Sequence, residues 1–386
     1  MRFEEPDNIR QARDLVRQFL DRELPREKAR MVEESGEPPL DIYKKLCALG
    51  VTALSVPEQY GGLGRNLPGT FSVLEEIAQR SGTLALIYIM CTCYAGMNLL
   101  ESASEEQKQL YLPGIASGEL LFSYAWTEPD IGADLAAVKT TAVRDGDEVV
   151  INGTKRFISG ASWTGYFYTL VRSGAPEDRH NNISIVLVPR TTPGITTRQL
   201  KTMESSHAYD VDFENVRVPL ANVLGGPAFW NRGWTSMTES GLAVERLLAS
   251  AEALGNAIAA FDLAWNYSQE RRQFGRPICA FQSIRHKLAD MSTQLYACRV
   301  MLYHAASLVN DRKPCAVETS QAKLFICEAT KSVSLEALTI MGAYGYSKDY
   351  DLERYVRRSL LAPIVAGSSA IQRNNIVNYM GLPRAR

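Results

Sequence analysis

The spacing of apolar residues in the first third of the chain is that of amphipathic helices. In residues 7–24 the apolar side chains recur every three or four positions, and Asp7 or Asn8 stands before them as a predicted N-cap. Residues 39–51, 72–100 and 103–118 continue this period. The last of these segments begins with Ser104 followed by Gln107, the spacing of a capping box.

From about residue 120 the pattern changes to that of short β-strands. Residues 137–160 are rich in β-branched side chains and contain Asp145–Gly146 and Asn152–Gly153, two dipeptides that favour hairpin turns. Further strand patterns follow, with Pro and Gly between them, at residues 165–173, 181–190, 194–200 and 208–219. This part of the sequence predicts an antiparallel β domain.

Beyond residue 232 the helical period returns in three long segments, 241–275, 281–310 and 316–342. Long helices with short connections are typical of an antiparallel bundle. The sequence therefore predicts an α+β fold with three domains. They are an N-terminal helical domain over 1–119, a middle antiparallel β domain over 120–232 and a C-terminal four-helix bundle over 233–386.

Composition and charge exclude several classes of protein. The 386 residues carry 42 Lys and Arg against 43 Asp and Glu, and this near-zero balance favours neither nucleic acid nor an anionic membrane as a partner. The charged N-terminus has no apolar segment of a secretory signal, and no uninterrupted apolar run of membrane-spanning length is present. Seven scattered cysteines predict reduced thiols in a cytoplasm, and four dispersed histidines predict no metal site.

The C-terminal region has an unusual charge distribution. From Arg354 to Arg386 there are six arginines and no Asp or Glu. Within it lies the segment PIVAGSSAIQR at 363–373, whose small residues allow a backbone to approach a ligand closely. Such a loop cannot supply a catalytic base, so any base has to come from elsewhere in the chain.

Five motifs, in order along nearly the whole chain, resemble the acyl-CoA dehydrogenase family. They are VPEQYGGLG at 56–64, YAWTEPDIGAD at 124–134, INGTKRFISGAS at 151–162, ERRQFGRPICAFQSIRHKLADM at 270–291 and IMGAYGYSKDYDLERYVRR at 340–358. The resemblance implies a homotetramer that binds FAD between the β domain and the C-terminal bundle. It also implies removal of two hydrogens across Cα–Cβ of an acyl thioester, with an electron-transfer flavoprotein as acceptor.

The same motifs imply site residues in this chain. The residues expected to contact the flavin are Tyr124, Trp126, Thr127, Gly132, Phe157, Ser159 and Ser368. Those expected to reach the FAD of a neighbouring subunit are Arg271, Phe274, Gln282, Gly342 and Ala343, of which the arginine suits a pyrophosphate. Substrate contacts are expected from Ala133, Arg246, Ala366 and Gly367.

The resemblance also directs attention to the missing base. In most of the family a Glu precedes the Gly of the C-terminal loop, but Ala366 occupies that position here. Isovaleryl-CoA dehydrogenase and its relatives take their Glu from an ER pair on the long helix, which matches Glu245 and Arg246. The helical neighbours of Glu245 are small or apolar, so burial is expected to raise its pKa. The alternative is that Glu245 only pairs with an Arg or Lys on an adjacent helix.

Departures from the family pattern leave the thioester open. Ala133 stands where a Ser is usual, Asp130 where a Gly is common and Arg358 where an Asp is common. These differences concern thioester and CoA binding more than the flavin, so the substrate is an acyl group on CoA or on a carrier protein. Two other functions stay open: a flavin oxidase or monooxygenase on the same fold, and a non-catalytic subunit of a mixed oligomer.

Overall fold

A computed structural model of the chain describes residues 6–204 and 207–383. The first third is helical, as predicted, with α1 Asp7–Glu23, α2 Arg26–Ser35, α3 Leu40–Cys47, α4 Leu67–Arg80, α5 Gly82–Tyr88, α6 Asn98–Ser102 and α7 Glu105–Ala116. The predicted capping box of α7 is confirmed, since the Ser104 hydroxyl accepts from the Gln107 N–H at 3.3 Å. The predicted cap of α1 is wrong. Its N-cap is Pro6, so Asp7 lies in the first turn, where a carboxylate stabilises the helix dipole.

Two segments are wound as π-helices, which the apolar spacing did not predict. One, Ile89–Met97, lies between α5 and α6, and the other, Met237–Gly241, immediately precedes the long helix Leu242–Glu270. A π-helix is rare and is frequently found at functional sites. Both segments therefore point to the regions where function is to be sought.

The middle of the chain forms a seven-stranded sheet. Its strands are β1 Phe122–Ala125, β2 Thr141–Asp145, β3 Glu148–Ser159, β4 Tyr166–Arg172, β5 Ile183–Pro189, β6 Ile195–Gln199 and β7 Ala208–Pro219. The order is β1-β4-β2-β3-β7-β6, with β5 also paired to β4. Most pairs are antiparallel, as predicted, whereas β1 and β2 each pair with β4 in parallel. Asp145 pairs with Glu148, which confirms the hairpin turn predicted there.

The second predicted turn, at Asn152–Gly153, is wrong. These two residues lie inside β3, at an irregularity in its pairing with β7. Gly153 has φ 145°, and a Cβ at this position would lie 2.6 Å from the hydroxyl oxygen of Thr140. The glycine therefore permits a bulge and a close backbone approach rather than a chain reversal.

The last third is again helical. Its helices are α8 Gly233–Ser236, α9 Leu242–Glu270, α10 Gln282–Asn310, α11 Ala316–Met341, α12 Ala343–Tyr346, α13 Leu352–Ser359 and α14 Ser369–Tyr379. The prediction that the α9 helix continues to residue 275 is wrong. A short hairpin, β8 Arg272–Gln273 and β9 Arg276–Pro277, follows α9 because Phe274 and Gly275 have φ 50° and 79° and reverse the chain.

The chain divides into two compact units. The helical unit consists of the chain up to Glu34, Leu67–Ala85 and the chain from Glu245 onward; the sheet unit consists of Ser35–Asn66 and Leu86–Val244. In the helical unit α10 packs against α4 and α11, so helices from both ends of the sequence share one core. The three predicted domain boundaries stay a prediction.

Each unit has a distinct interior. The core of the sheet unit is built from aliphatic and aromatic side chains of the strands, such as Val149, Phe167 and Val211. In the helical unit the fully buried Glu75 accepts from Arg13 at 2.8 Å and also from Arg299, which ties α4 to α1 and α10. Buried charges are thus paired in this network, as burial requires.

Two helical stretches, Gly82–Ser102 and Leu242–Glu270, are long and apolar enough to cross a membrane by length and composition alone. Most of each stretch is buried inside the protein. This burial is the property of core helices, and it accounts for their apolar composition.

Candidate functional site

Two of the sequence motifs lie side by side in the sheet unit. The motif at 124–134 contains the end of β1 and the loop after it, and the motif at 151–162 contains most of β3 and the residues that follow it. The N–H of Arg156 donates to the carbonyl of Thr127 at 2.8 Å, and the Ser123 hydroxyl donates to the carbonyl of Ser159 at 2.6 Å. The structure therefore brings together Thr127, Phe157 and Ser159, three residues predicted to contact the flavin.

A buried ion pair, which the sequence analysis did not single out, joins these motifs. Lys155 is fully buried, and its Nζ donates to Glu128 at 2.9 Å and to the carbonyl of Trp126 at 3.2 Å. The carboxylate of Glu128 also accepts the backbone N–H groups of Lys139 and Thr140, both at 2.8 Å. This pair fixes the loop after β1 against β3. In the sequence the two residues are visible as a Glu in the motif at 124–134 and a Lys in the motif at 151–162, with no local pattern that links them.

The pKa values of the pair reflect both burial and attraction. Burial lowers the pKa of Lys155 to about 8, although Glu128 acts in the opposite direction. Burial alone would raise the pKa of Glu128, but the Lys155 ammonium and the bonds from Thr140 outweigh it and hold this pKa below its usual value. Glu128 is therefore a carboxylate at neutral pH and has a structural role.

Phe157 is presented to the surface of the sheet unit in an unusual conformation. It has φ 61°, in the left-handed region, and lies where the pairing of β3 with β7 shifts between Lys155 and Ile158. Its side chain is 58% exposed, and the Arg156 guanidinium lies 5.3 Å from the ring centroid. A strained residue that exposes an aromatic ring is typical of a ligand-binding surface, because folding gains nothing from the arrangement.

The rings of Tyr124 and Trp126 are buried and stacked. Their centroids are 4.4 Å apart, and Tyr94, from the Ile89–Met97 π-helix, stacks on the other side of Tyr124 at 3.9 Å. Asn98 donates to the Tyr124 hydroxyl. The indole Nε1 of Trp126 is buried and has no hydrogen-bond partner within residues 6–204 and 207–383. Such a donor normally has a partner, so it is available to a bound group.

Gly132 and Ala133 are exposed beside a groove of the sheet unit. The groove has a volume of about 780 Å³, and Asp134, Arg172 and Arg179 are among its lining residues. Arg179 pairs with Asp134 at 3.0 Å, and the buried Arg172 donates to the carbonyl of Val138 at 2.9 Å. Neither arginine was predicted from the sequence, since each stands outside the recognised motifs.

In the helical unit Glu245 lies in the first turn of α9 and is half-buried. Burial raises the pKa of its carboxyl group to about 7, although Arg246 and Lys323 act to lower it. Leu248 and Ala249, its neighbours on the helix, are buried. The expected rise in pKa is thus present, and Glu245 can accept a proton near neutral pH. No carboxylate–cation contact within 4.0 Å involves Glu245 in the described chain.

Arg246, the second residue of the ER pair, is buried. Its guanidinium donates to the Thr319 hydroxyl of α11 at 3.3 Å and lies 6.0 Å from the ring centroid of Tyr379. These contacts place the start of α9 against α11 and α14. Arg358, which replaces a common Asp, pairs with Glu252 of α9 and donates to the carbonyl of Gly82 at 3.0 Å.

The loop between α13 and α14 has the backbone geometry of a binding loop. Ala366 and Gly367 have φ 54° and 74°, and the Gln372 amide donates to their carbonyls at 3.3 and 2.9 Å. The hydroxyl of Ser368 accepts from the Ile371 N–H at 3.4 Å and caps α14. Within the described residues no hydrogen bond uses the N–H of Ala366. This N–H is therefore available to an oxygen of a ligand.

The residues predicted to reach a neighbouring subunit's cofactor gather on the surface of the helical unit. Arg271 lies 5.5 Å from the ring centroid of Tyr344, next to the exposed Gly342 and Ala343. Phe274 is 91% exposed at the tip of the β8–β9 hairpin. The exposed Gln282 begins α10. Within residues 6–204 and 207–383, no cluster of His, Cys, Asp or Glu could hold a metal ion.

Three family profiles match the chain. They are "Acyl-CoA dehydrogenase, N-terminal domain" over residues 6–119, "Acyl-CoA dehydrogenase, middle domain" over 123–216 and "Acyl-CoA dehydrogenase, C-terminal domain" over 231–381. These matches and the architecture described above confirm the predicted fold.

Individual proteins are similar over nearly the whole length. An acyl-CoA dehydrogenase of Bacillus subtilis is 36% identical over 95% of this chain and 96% of its own. A protein of Acetobacterium woodii, named caffeyl-CoA reductase-Etf complex subunit CarC, is 33% identical over 93% of this chain and 94% of its own. The crystal structure of the prolyl acyl carrier protein oxidase AnaB has a TM-score of 0.91 and 28% identity, and the match covers 98% of this chain and 100% of AnaB.

Proposed function

The chain belongs to the acyl-CoA dehydrogenase family, and on that premise we propose that it desaturates a short or branched acyl thioester with Glu245 as the base. As a member of this family it is an FAD-dependent oxidoreductase acting on CH–CH bonds. The proposal places it with the isovaleryl-CoA-dehydrogenase-like subgroup, in which the base lies on the long helix. The observation that carries it is the half-buried Glu245, with a pKa of about 7, in a chain whose loop carries Ala366.

The residues of the sheet unit fit a flavin. The exposed Phe157 ring offers a flat apolar surface, and the buried Trp126 Nε1 and the half-buried Ser159 hydroxyl offer donors to a ring that gains charge on reduction. In the helical unit Arg271 offers a guanidinium for a pyrophosphate, as in the relatives that its motif resembles. When bound, FAD supplies the acceptor for the β-hydrogen. This hydrogen departs from the substrate as a hydride, together with the electron pair of its C–H bond.

The protein's own residues have two tasks in this reaction. Glu245 takes the α-proton onto its carboxylate, and the electron pair of that C–H bond forms the new Cα–Cβ double bond. The N–H of Ala366 donates to the thioester carbonyl and stabilises the negative charge that develops on its oxygen. A general base of matched pKa contributes roughly 10²- to 10⁴-fold to the rate.

The proposal is tested by anaerobic reduction of the bound flavin. The native protein and Glu245→Gln are mixed with acyl groups of different length and branching, each as a CoA ester and as a thioester of a carrier protein. Glu336→Gln is the matched control, since Glu336 is a half-exposed glutamate of the same unit that pairs with Lys287 at 2.8 Å. We expect native and control proteins to bleach alike and Glu245→Gln to bleach about 10²- to 10⁴-fold more slowly.

The other possible outcomes would either contradict the proposal or narrow the class of substrate. Unimpaired bleaching by Glu245→Gln, with normal FAD content, would mean that the base lies elsewhere. Bleaching by carrier-bound but not CoA-bound substrates would assign the thioester to a carrier protein. A flavin that no substrate of the panel bleaches in a pure preparation would favour the non-catalytic subunit of a mixed oligomer.

An oxidase on the same fold is the second candidate, because the similar AnaB is named an oxidase. An oxidase returns its electrons to O₂, so the reduced protein would reoxidise rapidly in air and release hydrogen peroxide. For the dehydrogenase we propose an electron-transfer flavoprotein as acceptor, which the naming of CarC as a subunit of an Etf complex supports. The two candidates are separated by the rate of reoxidation in air against that with an electron-transfer flavoprotein.

Assembly and compartment are further parts of the proposal. A homotetramer is supported by large exposed apolar side chains of the helical unit, among them Phe274, Tyr346 and Met380. Light scattering of the holoprotein tests the mass. A cytoplasmic location is supported by seven cysteines that are all free thiols.

A further inference from the structure

A lysine in the helical unit has surroundings that folding alone does not explain. Lys323 of α11 is fully buried, and its Nζ donates to the carbonyl of Ala362 at 2.7 Å. In the described part of the chain no carboxylate lies within 4.0 Å of this nitrogen. Burying an ammonium group without a counter-ion costs free energy, because it loses its hydration.

The position of Lys323 on α11 places it against the start of α9. Thr319, Lys323 and Cys327 follow one another at intervals of one helical turn and so share a face. At one end of this face Thr319 accepts from Arg246 at 3.3 Å, and at the other Cys327 packs in a buried cluster with Ala253 and Ala362. The part of α9 that begins next to Glu245 therefore covers the face of α11 that carries Lys323.

We propose that Lys323 is a positioning residue for Glu245: its buried charge keeps the Glu245 carboxylate ionised, and its bond to Ala362 holds the loop that carries Ala366. Both effects come from one ammonium group. It lies at the base of the loop through Ala362, four residues before Ala366. The inference rests on the proposed role of Glu245.

The electrostatic balance around Glu245 is consistent with this role. Burial raises the pKa of Glu245, and the two cations that oppose the rise are Arg246 and Lys323. Loss of Lys323 removes one of them, so the pKa of Glu245 is expected to rise further. The base is active only as a carboxylate. As the pH is lowered, the rate would therefore begin to fall at a higher pH than in the native protein.

Other charged or titratable groups belong to the elements packed around Lys323 and Glu245. They include Arg246 and Glu252 on α9, Cys315 just before α11, Glu318, Cys327 and Glu328 on α11, Arg358 on α13 and Tyr379 on α14. Glu252 is paired with Arg358, and burial raises the pKa of both thiols, so that they are neutral at physiological pH. Among the cations of this region, Arg246 and Lys323 are the two that oppose the effect of burial on Glu245.

The test compares three substitutions by the pH dependence of kcat/KM for anaerobic flavin reduction. Lys323→Met removes the charge and the donor, Lys323→Gln keeps a donor for Ala362 without the charge, and Lys323→Arg keeps the charge. Lys331→Met is the control, because Lys331 lies two turns further along α11 and pairs with Glu328 at 3.2 Å. Melting temperature and FAD content are measured for each variant.

We expect the acidic limb to move to higher pH by up to about one unit in Lys323→Met and Lys323→Gln, because each loses the smaller of the two cationic effects that oppose burial at Glu245. Lys323→Arg and Lys331→Met keep the native limb. If Lys323→Met does not fold, Lys323→Gln and Lys323→Arg still separate charge from packing. A native limb in a folded, FAD-loaded Lys323→Gln protein would overturn the inference.

Glu245→Gln, measured in parallel, distinguishes the two levels of the argument. If it retains the native rate, the proposed function of Glu245 fails whatever the lysine variants do. If it loses activity while Lys323→Gln keeps the native limb, only the inference about Lys323 fails.

Discussion

Two fully buried lysines, one in each unit, have different partners. In the sheet unit Lys155 donates to the carboxylate of Glu128 at 2.9 Å, and two backbone N–H groups also donate hydrogen bonds to that carboxylate. In the helical unit Lys323 donates to a backbone carbonyl, and Glu245, an acid that it influences, has no ion pair with it within the described residues. A charge matched at close range fixes the backbone around it. A charge without such a partner acts over a distance on groups that exchange protons.

The comparison also separates the two units by task. The sheet unit fixes the loop after β1 against β3 through the Lys155–Glu128 ion pair and backbone hydrogen bonds. The helical unit holds an acid, Glu245, whose pKa is raised by burial to about 7 against the opposing effect of Arg246 and Lys323. The first arrangement suits a surface that has to keep its shape, and the second suits a group that has to gain and lose a proton.

The largest effect is expected from breaking the ion pair of Lys155 and Glu128. Lys155→Met leaves Glu128 as a buried charge without its counter-ion, and the free energy of unfolding should fall by about 3–5 kcal/mol. Lys323→Met leaves a carbonyl without its donor, which costs about 1–3 kcal/mol, but it also removes a buried ammonium group that has no counter-ion, so the net loss should be smaller than this. Urea unfolding monitored by tryptophan fluorescence measures both. Lys139→Met, which breaks an exposed pair with Asp130, is the control and should cost at most about 1 kcal/mol. Equal losses for the two buried lysines would contradict the comparison.

The contribution of the Lys155–Glu128 ion pair to stability should also depend on pH. The pKa of Glu128 in the folded protein lies below its usual value of 4.5, so its stabilisation is complete above that pH and is lost as the pH falls through the folded value. The difference in melting temperature between native protein and Glu128→Gln should therefore be full at neutral pH and shrink in acid. A difference that grows in acid would reverse the assigned sign.

Phe157→Gly should have opposite effects on stability and on cofactor binding. Glycine adopts φ 61° without strain, so the apoprotein should gain up to about 1–2 kcal/mol. Loss of the exposed ring should weaken FAD binding by roughly tenfold, as expected for one aromatic contact. Calorimetric titration of apoprotein with FAD, beside thermal melts, measures both quantities. If FAD affinity is unchanged, the exposed ring has no role in the flavin site.

The smallest effect is expected in the loop of the helical unit. Ala366→Gly removes the strain of a left-handed alanine, worth at most about 1–2 kcal/mol, and keeps the N–H. Stability should rise slightly, whereas the added backbone freedom should reduce kcat a few-fold with little change in the acidic limb of the pH profile. A shift of that limb would show that the loop, and not only Lys323, sets the pKa of Glu245.

The sequence predicted the features that depend on neighbours along the chain. Helical spacing located α1, α10 and α11, and Ser104 with Gln107 predicted a capping box. The same local reasoning was wrong at Asn152–Gly153, because the dipeptide of a tight turn also serves where a strand passes close to Thr140. It was wrong at residues 272–277 because a helical pattern cannot show where two left-handed residues will reverse the chain.

The contacts that define the candidate site are long-range, and this limited prediction. Glu128 and Lys155 are separated by 27 residues, and Lys323 and Ala362 by 39. Nothing local marks such partners, so the ion pair and the buried lysine emerged only from the structure. The raised pKa of Glu245 was predictable because its cause, small and apolar neighbours, lies on its own helix.

The π-helix at Ile89–Met97 has a consequence for how this protein can diverge. Each hydrogen-bonded turn of a π-helix encloses one residue more than a turn of an α-helix, and each residue of an α-helix turns the chain by about 100°. Deletion of a single residue there should leave a regular helix and yet rotate Tyr94 or Asn98 away from Tyr124. The stack of Tyr94, Tyr124 and Trp126 in the sheet unit could thus be rearranged by the loss of one residue from this segment, without substitution of any other side chain.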